Sequence, residues 1–373
     1  MRVLLSGYYG FGNFGDEALL DVIVHRLRER FPQAHLEVLS AAPESTSQTY
    51  GVAASPRWPW KNVREAVARA DVVLSGGGGL LQNATSLRSL LYYAGVIREG
   101  VRSGRKTMIF AQSVGPLDAL GRLVVRRFCR GLTRATVRDE RSRQLLRSLL
   151  PDSPVERTAD PAFLFDADEG EADLSAEGLG PESGAYAIVS VRKAPALKDG
   201  VAAFARAVDR MAHVHGIRAA FLPLGGVADA EVSTTIIRTC ASAPVLLPEC
   251  SLEKAAAVLR GAHVVIGMRL HALVLAARFG VPFLAVPYDP KVAALCDELQ
   301  YPLPPLWTPG TGRPDGPAVD ASVDQLVAQR DALCAHLAAR AGALRASAEK
   351  NFDVLAEMLR DEDTVQGETE ALP

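Results

Sequence analysis

Cysteine is scarce in this chain, with five in 373 residues, and Cys129, Cys240, Cys250, Cys296 and Cys334 stand far apart with no C-x-x-C pair. That spacing argues against a disulfide framework and a cysteine-based zinc site, and it leaves reduced, mostly buried thiols as the expectation. An excess of charge is also lacking. Lys and Arg number 41 against 43 Asp and Glu, a formal net charge of −2, so no global field draws the protein to nucleic acid and any attraction to an anionic partner must come from a local patch. No apolar run reaches the ~18 uninterrupted residues of a membrane-spanning helix. Arg2 to Leu5 runs straight into a glycine-rich loop with no apolar leader segment before it, so a cytoplasmic location is expected. No repeat of solenoid period is visible. What is plentiful is apolar side chain, at 48%, enough for large cores. The length exceeds one ordinary core, and with the pattern below it predicts two α/β domains of roughly 150 residues each.

Strand and helix patterns alternate through residues 1–165. Strands read at Val3–Ser6, His35–Ser40, Asp71–Ser75, Thr107–Gln112 and Ala135–Val137, and helices at Asp16–Phe31, Asn62–Ala70, Leu87–Ser103 and Leu117–Leu132. Such alternation predicts a parallel sheet covered on both faces. Residues 166–184 break every periodicity with acids, glycine and proline and read as an interdomain linker. Their Asp166-Ala-Asp168 has the D-x-D spelling of some metal-dependent glycosyltransferases, with a solvated charge run as the simpler reading; no metal is assigned. Residues 185–320 resume the alternation, with helices at Val201–His215, Ala230–Ala241, Leu252–Gly261 and Pro290–Leu299. Residues 321–362 read as a helical tail, rich in Ala and Leu from Val323 to Leu359 and able to cover either domain, and the chain is expected to fray beyond Asp361. The fold class is thus α/β, with two Rossmann-like doubly wound domains and a C-terminal helical tail.

Open α/β sheets bind ligands beyond the carboxyl ends of their strands, so the loops after strands carry the candidates. The most informative is Gly267-Met-Arg-Leu-His-Ala-Leu-Val-Leu-Ala-Ala-Arg-Phe-Gly280, a turn and helix after a buried strand. The first turn of such a helix has unpaired amides and partial positive charge, which suit phosphate or carboxylate. Arg269 and His271, on either side of Leu270, add a cation and a titratable donor. Two residues apart, they face different directions, so one can hold a ligand's charge while the other approaches a different atom. A competing reading pairs Arg269 with a core carboxylate and makes His271 a satisfied buried histidine.

Four further loops follow strands in the first domain. Ser6-Gly-Tyr-Tyr-Gly-Phe-Gly-Asn-Phe-Gly-Asp-Glu17 only partly matches a dinucleotide fingerprint and has no clear strand-two acid near residue 40 to hold a ribose. It offers close backbone approach at Gly12, the Asn13 amide, and Asp16 and Glu17 at a helix start. Asp16 is otherwise a helix cap and Glu17 a dipole partner. Ser75-Gly-Gly-Gly-Gly79, centred on Gly77 and Gly78, suits a polyanion or close packing. Gln112-Ser-Val-Gly-Pro116 and Val137-Arg-Asp139 complete the set, with Arg138 at a strand end aimed toward the same cleft as Arg269 and Asp139 at the start of a helix. In the second domain, Tyr288 and Lys291 of Val286-Pro-Tyr-Asp-Pro-Lys291 follow a buried strand and face the cleft. Arg122, Arg126, Arg130 and Arg134 recur every four residues, either as a salt-bridged solvated face or as a patch for anionic lipid head groups or a lipid pyrophosphate.

Together with Ala159-Asp-Pro161, these segments resemble the polysaccharide pyruvyltransferase family, closest to its bacterial CsaB type, in the family's order from residue 1 to about 300. Phe14 departs from the small residue expected before Gly-Asp-Glu. The resemblance implies two domains facing across a GT-B-like cleft, with the glycine-rich loops of the first on the acceptor side. It implies transfer of a pyruvyl group from phosphoenolpyruvate to a sugar as a 4,6-ketal, with phosphate released. The implied acceptor is a β-linked N-acetylmannosamine of a cell-wall polysaccharide, carried on a lipid at the cytoplasmic face of the membrane, whose pyruvylated form anchors S-layer proteins. No cofactor other than phosphoenolpyruvate as donor and no nucleic-acid partner is implied. Arg138, Arg269 and His271 are the functional positions indicated, with Lys291 as a further one. Chemistry adds His271 as general acid and Asp16 or Glu17 as base toward the sugar hydroxyls. Gly12, Asn13, Gly77, Gly78, Gln112, Leu270 and Tyr288 complete the expected binding set. Two other classes fit the same pattern: a GT-B nucleotide-sugar glycosyltransferase, and a non-catalytic anion-binding or scaffold protein. The latter has no need of a histidine and cations together.

Overall fold

Mainly apolar runs at Arg2–Ser6, Val72–Gly76, Lys106–Gln112, Tyr186–Ser190 and Val264–Gly267 are buried almost throughout and form the centres of two parallel sheets. In the computed structural model these belong to two compact units, Met1–Leu164 with Leu344–Pro373, and Phe165–Ala343. The structure describes residues 1–84, 86–166, 174–179, 184–194, 197, 200–308, 310 and 314–360.

The first unit contains β1 (Arg2–Ser6), α1 (Phe14–Arg30), β2 (His35–Ser40), α2 (Pro43–Tyr50), β3 (Ala53–Pro56), α3 (Trp60–Arg69), β4 (Val72–Gly76), α4 (Leu87–Arg102), β5 (Lys106–Gln112), α5 (Ala119–Phe128), β6 (Arg134–Val137), α6 (Glu140–Leu149) and β7 (Val155–Arg157). Its strand order is β3-β2-β1-β4-β5-β6-β7. The order reverses between β1 and β4, where a crevice opens at the carboxyl ends of the strands. The β5–β6 register shifts between Ile109 and Gln112, and Ala111 adopts a φ of 50°. A left-handed conformation costs a residue with a Cβ about 1–2 kcal/mol. Here the Ala111 N–H is fixed by Thr136 Oγ1 at 2.9 Å, and the distortion turns the chain toward Gln112 and Ser113.

The second unit contains β8 (Tyr186–Ser190), α7 (Val201–His215), β9 (Arg218–Phe221), α8 (Val227–Ile237), β10 (Val245–Leu246), α9 (Leu252–Gly261), β11 (Val264–Gly267), α10 (Leu270–Arg278), β12 (Phe283–Ala285), α11 (Pro290–Leu299) and α12 (Gly316–Ala328). The order β10-β9-β8-β11-β12 reverses between β8 and β11. Helix α12 is fastened to α7 by two bidentate pairs, Arg206 with Asp320 at 2.8 and 2.6 Å and Arg210 with Asp324 at 2.9 and 2.7 Å.

Several expectations need correction. The tail is two helices, α12 and α13 (Arg330–Arg360), and the division between units falls within α13. Its later half belongs to the first unit, where Phe352 is buried with its ring 5.1 Å from Phe110. The segment read as a linker includes a short 3-10 turn at Ser175–Glu177 between buried Leu174 and Leu179. Asp166 of the D-x-D spelling pairs with Arg278 at 3.1 Å, and Asp168 lies outside the described residues. Helix α5 is shorter than expected at both ends: Asp118 caps its start, accepting from the Gly121 N–H at 2.7 Å, and it ends at Phe128 with Cys129 as its C-cap. All five cysteines are free, but only Cys129 is buried; burial pushes its thiol up to about 12. Among the described residues, no helix is long and apolar enough to cross a membrane.

Candidate functional site

In the first unit the loops after β1 and β4 meet at the point where the strand order reverses. Asn13, not Asp16, caps α1, its Oδ1 accepting from the Gly15 N–H at 3.2 Å. Capping leaves Asp16 turned toward the glycine loop, where a Cβ built on Gly78 would stand 2.7 Å from Asp16 Oδ1. Gly77 and Gly78 have φ of 73° and 72°, so both the backbone and this contact demand glycine. The buried Tyr9 donates from its hydroxyl to the Gly76 carbonyl at 2.8 Å. Burial, with the Asp16 and Glu17 carboxylates nearby, pushes its phenol well above the ordinary range, so it remains a neutral donor. Glu17 holds the loop in shape, with Oε1 accepting from the Gly10 N–H at 2.9 Å and Oε2 from the Tyr50 hydroxyl at 2.9 Å. Gly12 has a φ of 68° and open space around its Cα. The Gly77 N–H already donates to the Phe110 carbonyl at 3.0 Å, so the glycine run offers fewer amides to a ligand than its composition suggests.

The remaining motifs of this unit join the same network. The Ser113 N–H donates to the Gly78 carbonyl at 2.9 Å, and the Arg138 N–H to the Gln112 carbonyl at 3.2 Å. Gln112 is fully buried, its Nε2 donating to Ser75 O at 2.6 Å and Ser75 Oγ at 2.9 Å, so it braces the loop from beneath. Arg138 is buried as well, where the sequence suggested a side chain at an open strand end. Its Nε donates to Ser113 Oγ at 2.7 Å and its Nη1 pairs with Asp160 of the Ala-Asp-Pro segment. Asp16, the glycine loop, Ser113, Arg138 and Asp160 therefore form one connected chain along the carboxyl edge of the sheet.

In the second unit, α10 begins at Arg269, whose N-cap position provides no side-chain cap hydrogen bond, and the helix starts close to the reversal between β8 and β11. The guanidinium is held from Nε and Nη2 by the two oxygens of Asp229, each at 2.7 Å. Asp229 has a side chain only 1% exposed, so the competing reading of Arg269, a pair with a core carboxylate, holds for one edge of its fork. A Cβ on Gly225 would lie 1.7 Å from Arg269 Nη2, so only glycine lets the arginine lie there. Leu270 and His271 occupy the first turn of α10, both half-buried, with His271 Nε2 itself enclosed. Arg192, just after β8, donates from Nη1 to the Tyr288 hydroxyl at 3.0 Å and lies 5.5 Å from the centre of its ring. Burial opposes the Arg192 charge, but Tyr288 and the Asp229 and Asp289 carboxylates outweigh it and raise its pKa. Asp289 caps α11, accepting from the Lys291 N–H at 2.9 Å, which puts Lys291 in that helix's first turn. Two guanidinium groups, a phenol and an uncapped helix start thus converge in the manner of an anion site.

Arg192, Asp229 and Asp160 were not among the expected site residues. The rule that ligands gather after strands points to Arg192, in the loop after β8, and to the Gly225-Gly226 turn, in the loop after β9. Asp160 was visible only within the Ala159-Asp-Pro161 motif and Asp229 carried no local signal, their partners lying 22 and 40 residues away.

A profile of the family described as polysaccharide pyruvyl transferase matches residues 13–290. No curated protein matches the sequence. Among solved structures, the chain is similar to a putative UDP-N-acetylglucosamine 2-epimerase from Listeria monocytogenes at 10% identity and a TM-score of 0.65, covering 90% of each chain. It is also similar to the UDP-GlcNAc 2-epimerase of Neisseria meningitidis, determined with UDP-GlcNAc bound, at 11% identity and a TM-score of 0.62 over 96% of this chain and all of the other. A third is Anabaena HepE in complex with UDP and glucose, at 13% identity and a TM-score of 0.61 over 98% of this chain and all of that one. At such identities the likeness establishes the fold alone, a GT-B-like pair of parallel α/β units.

Proposed function

The chain belongs to the polysaccharide pyruvyl transferase family, and from that premise we propose that it forms a 4,6-ketal on a cell-wall sugar from phosphoenolpyruvate. The observation that carries this reading is the second-unit cluster, in which Arg269 and Arg192 stand with the open first turn of α10 and with His271. Phosphoenolpyruvate bears a phosphate and a carboxylate, and such a cluster offers each a cationic or amide partner. His271 then donates a proton to the methylene carbon, which becomes a methyl group and leaves an oxocarbenium-like centre at C2. One sugar hydroxyl adds to C2 and gives up its proton. The C2–O bond to phosphorus breaks with its electron pair leaving on phosphate, and the second hydroxyl closes the ketal and loses its proton. Asp16 serves as base for the hydroxyls, with Arg138 and Lys291 as further charge partners. The order of motifs supports the CsaB type, and with it a β-N-acetylmannosamine acceptor on a lipid-linked precursor and a role in S-layer anchoring.

The rival reading, a nucleotide-sugar glycosyltransferase, draws on the UDP-bound state of two of the similar structures. Heat unfolding separates the two, because a ligand that binds only the folded protein stabilises it by about 2.7 kcal/mol at a hundredfold excess over Kd. Phosphoenolpyruvate is expected to raise the midpoint and UDP to leave it unchanged. The opposite pattern would transfer the assignment to the glycosyltransferase.

A lipid-linked acceptor also gives a use to one outer face of the first unit. Leu87, Leu91, Leu120 and Leu123 are 36–61% exposed on α4 and α5, interspersed with Arg88, Arg122, Arg126, Arg127 and Arg130. Among the described residues these five arginines form no salt bridge, whereas Arg134 pairs with Glu156 at 3.6 Å. Exposed leucines among arginines that have no carboxylate partner among the described residues suit an anionic bilayer. The protein is expected to sediment with vesicles containing phosphatidylglycerol but not with pure phosphatidylcholine, and Arg122→Glu with Arg126→Glu to abolish that binding. Equal sedimentation of this variant would remove the face from consideration.

A further inference from the structure

A cavity of about 890 Å³ lies in the first unit, lined among others by Phe11, Arg57, Trp58, Trp60, Tyr92 and Phe128. None of these residues takes part in the chemistry described above. Phe11 belongs to the loop after β1, Arg57 and Trp58 directly follow β3, and Trp60 begins α3, so one wall of the cavity is the carboxyl edge of the sheet. Helices α4 and α5 supply the other wall through Tyr92 and Phe128. The volume falls within the range of small-molecule sites, about 300–1,000 Å³.

The rings are held in place by their neighbours. Trp60 meets Tyr92 edge-on at 6.0 Å, and it lies against α4 only because residue 95 is glycine; a Cβ there would stand 3.0 Å from Trp60 Cη2. The Arg57 guanidinium lies 4.1 Å from the Tyr92 ring centre and 4.8 Å from that of Phe11. Its Nη1 donates to the Tyr93 hydroxyl at 3.2 Å, which leaves the arginine little freedom. Phe11 in turn stacks on Tyr8 at 4.1 Å. Yet Trp58 is 62% and Phe11 46% exposed, a large aromatic surface left in water beside a concave wall. Ser86, Ser89 and Arg88 add hydroxyl and cationic donors, and among the described residues no carboxylate lines the cavity.

We infer that this cavity binds the saccharide chain of the acceptor, an inference that rests on the pyruvyl transfer proposed above. Flat apolar ring faces with fixed donors between them match a pyranose, which presents a C–H face to an aromatic ring and hydroxyl oxygens at its rim. A purely hydrocarbon ligand has no use for a guanidinium locked between rings or for two serine hydroxyls. Position supports the same occupant: Phe11 lies on the loop that leads through Asn13 to Asp16, so a sugar held here is one loop away from the proposed base.

Two of the three tryptophans of the chain line the cavity, so intrinsic fluorescence reports on it directly. Titration with a soluble disaccharide ending in N-acetylmannosamine is expected to quench this emission, and Trp58→Ala to weaken saccharide binding at least tenfold while phosphoenolpyruvate still protects the variant from heat. In steady state the loss appears in the KM for the saccharide and not in that for phosphoenolpyruvate. Arg57→Leu is a second variant with the same expectation. No quenching by the disaccharide, an unchanged saccharide KM in both variants, or quenching by UDP instead would each overturn the assignment. Protection by phosphoenolpyruvate without quenching sinks the cavity inference alone, whereas quenching without such protection sinks the transferase reading and leaves a sugar site.

Discussion

Replacing His271 with alanine is expected to lower turnover by roughly 10²–10⁴-fold, the range a positioned general acid supplies, with protection by phosphoenolpyruvate largely retained. The separation of effects follows from the layout of α10. His271 lies in the helix's first turn, half-buried with Nε2 enclosed, while the charge proposed to hold the anion resides in the N-cap arginine, in Arg192 and in the backbone amides. Removing the imidazole takes away the proton donor and leaves the donors to phosphate and carboxylate. The check is kcat together with thermal protection by phosphoenolpyruvate in the same preparation. An unchanged kcat would remove His271 from the role of acid, and a lost protection with an intact fold would make it a binding group.

The second large effect concerns Arg269 and its buried partner. Arg269→Ala leaves the Asp229 carboxylate, 1% exposed, without its bidentate partner, and an orphaned buried charge costs about 3–5 kcal/mol. The variant is therefore expected to lose both stability in urea and protection by phosphoenolpyruvate. Arg269→Lys is not a rescue, because an ammonium cannot match the two oxygens of Asp229 as a planar fork does. The structural and ligand-binding contributions separate in the double variant Arg269→Met with Asp229→Leu, where no charge is left buried. Its urea midpoint should return toward that of the parent, and its phosphoenolpyruvate protection should remain absent. Recovery of both would mean that the arginine only neutralises the aspartate.

The elements read most accurately from sequence are those with strong end signals. Helices α7, α9 and α11 begin and end at the expected residues, since Gly216 closes the first in a left-handed conformation, Ser251 caps the second and Asp289-Pro290 opens the third. Helix α2 escaped because Pro-Glu-Ser-Thr-Ser-Gln-Thr-Tyr has the composition of a loop, and its signals, Pro43 at the start and Gly51 at the end, are short-range ones. Helix α6 was visible only as a start at Asp139, and β7 is three residues long. The site divides along the same line. Loops after strands are visible as glycine, arginine and histidine clusters, whereas the strand orders that bring them to the two reversal points are not. Which side chain faces a ligand and which braces the loop depends on long-range partners. Glu17 and Gln112 hydrogen-bond to neighbouring loops, and Arg138 and Arg269 are each tied to an aspartate distant in sequence, a relation that no local pattern contains.

The most direct test of the central claim is mass spectrometry of a synthetic lipid-linked saccharide ending in N-acetylmannosamine, incubated with the protein and phosphoenolpyruvate while phosphate release is followed. A mass gain corresponding to one pyruvate ketal, matched mole for mole by phosphate, is the predicted result. An unmodified acceptor beside intact phosphoenolpyruvate, under conditions where the protein binds both, would contradict it.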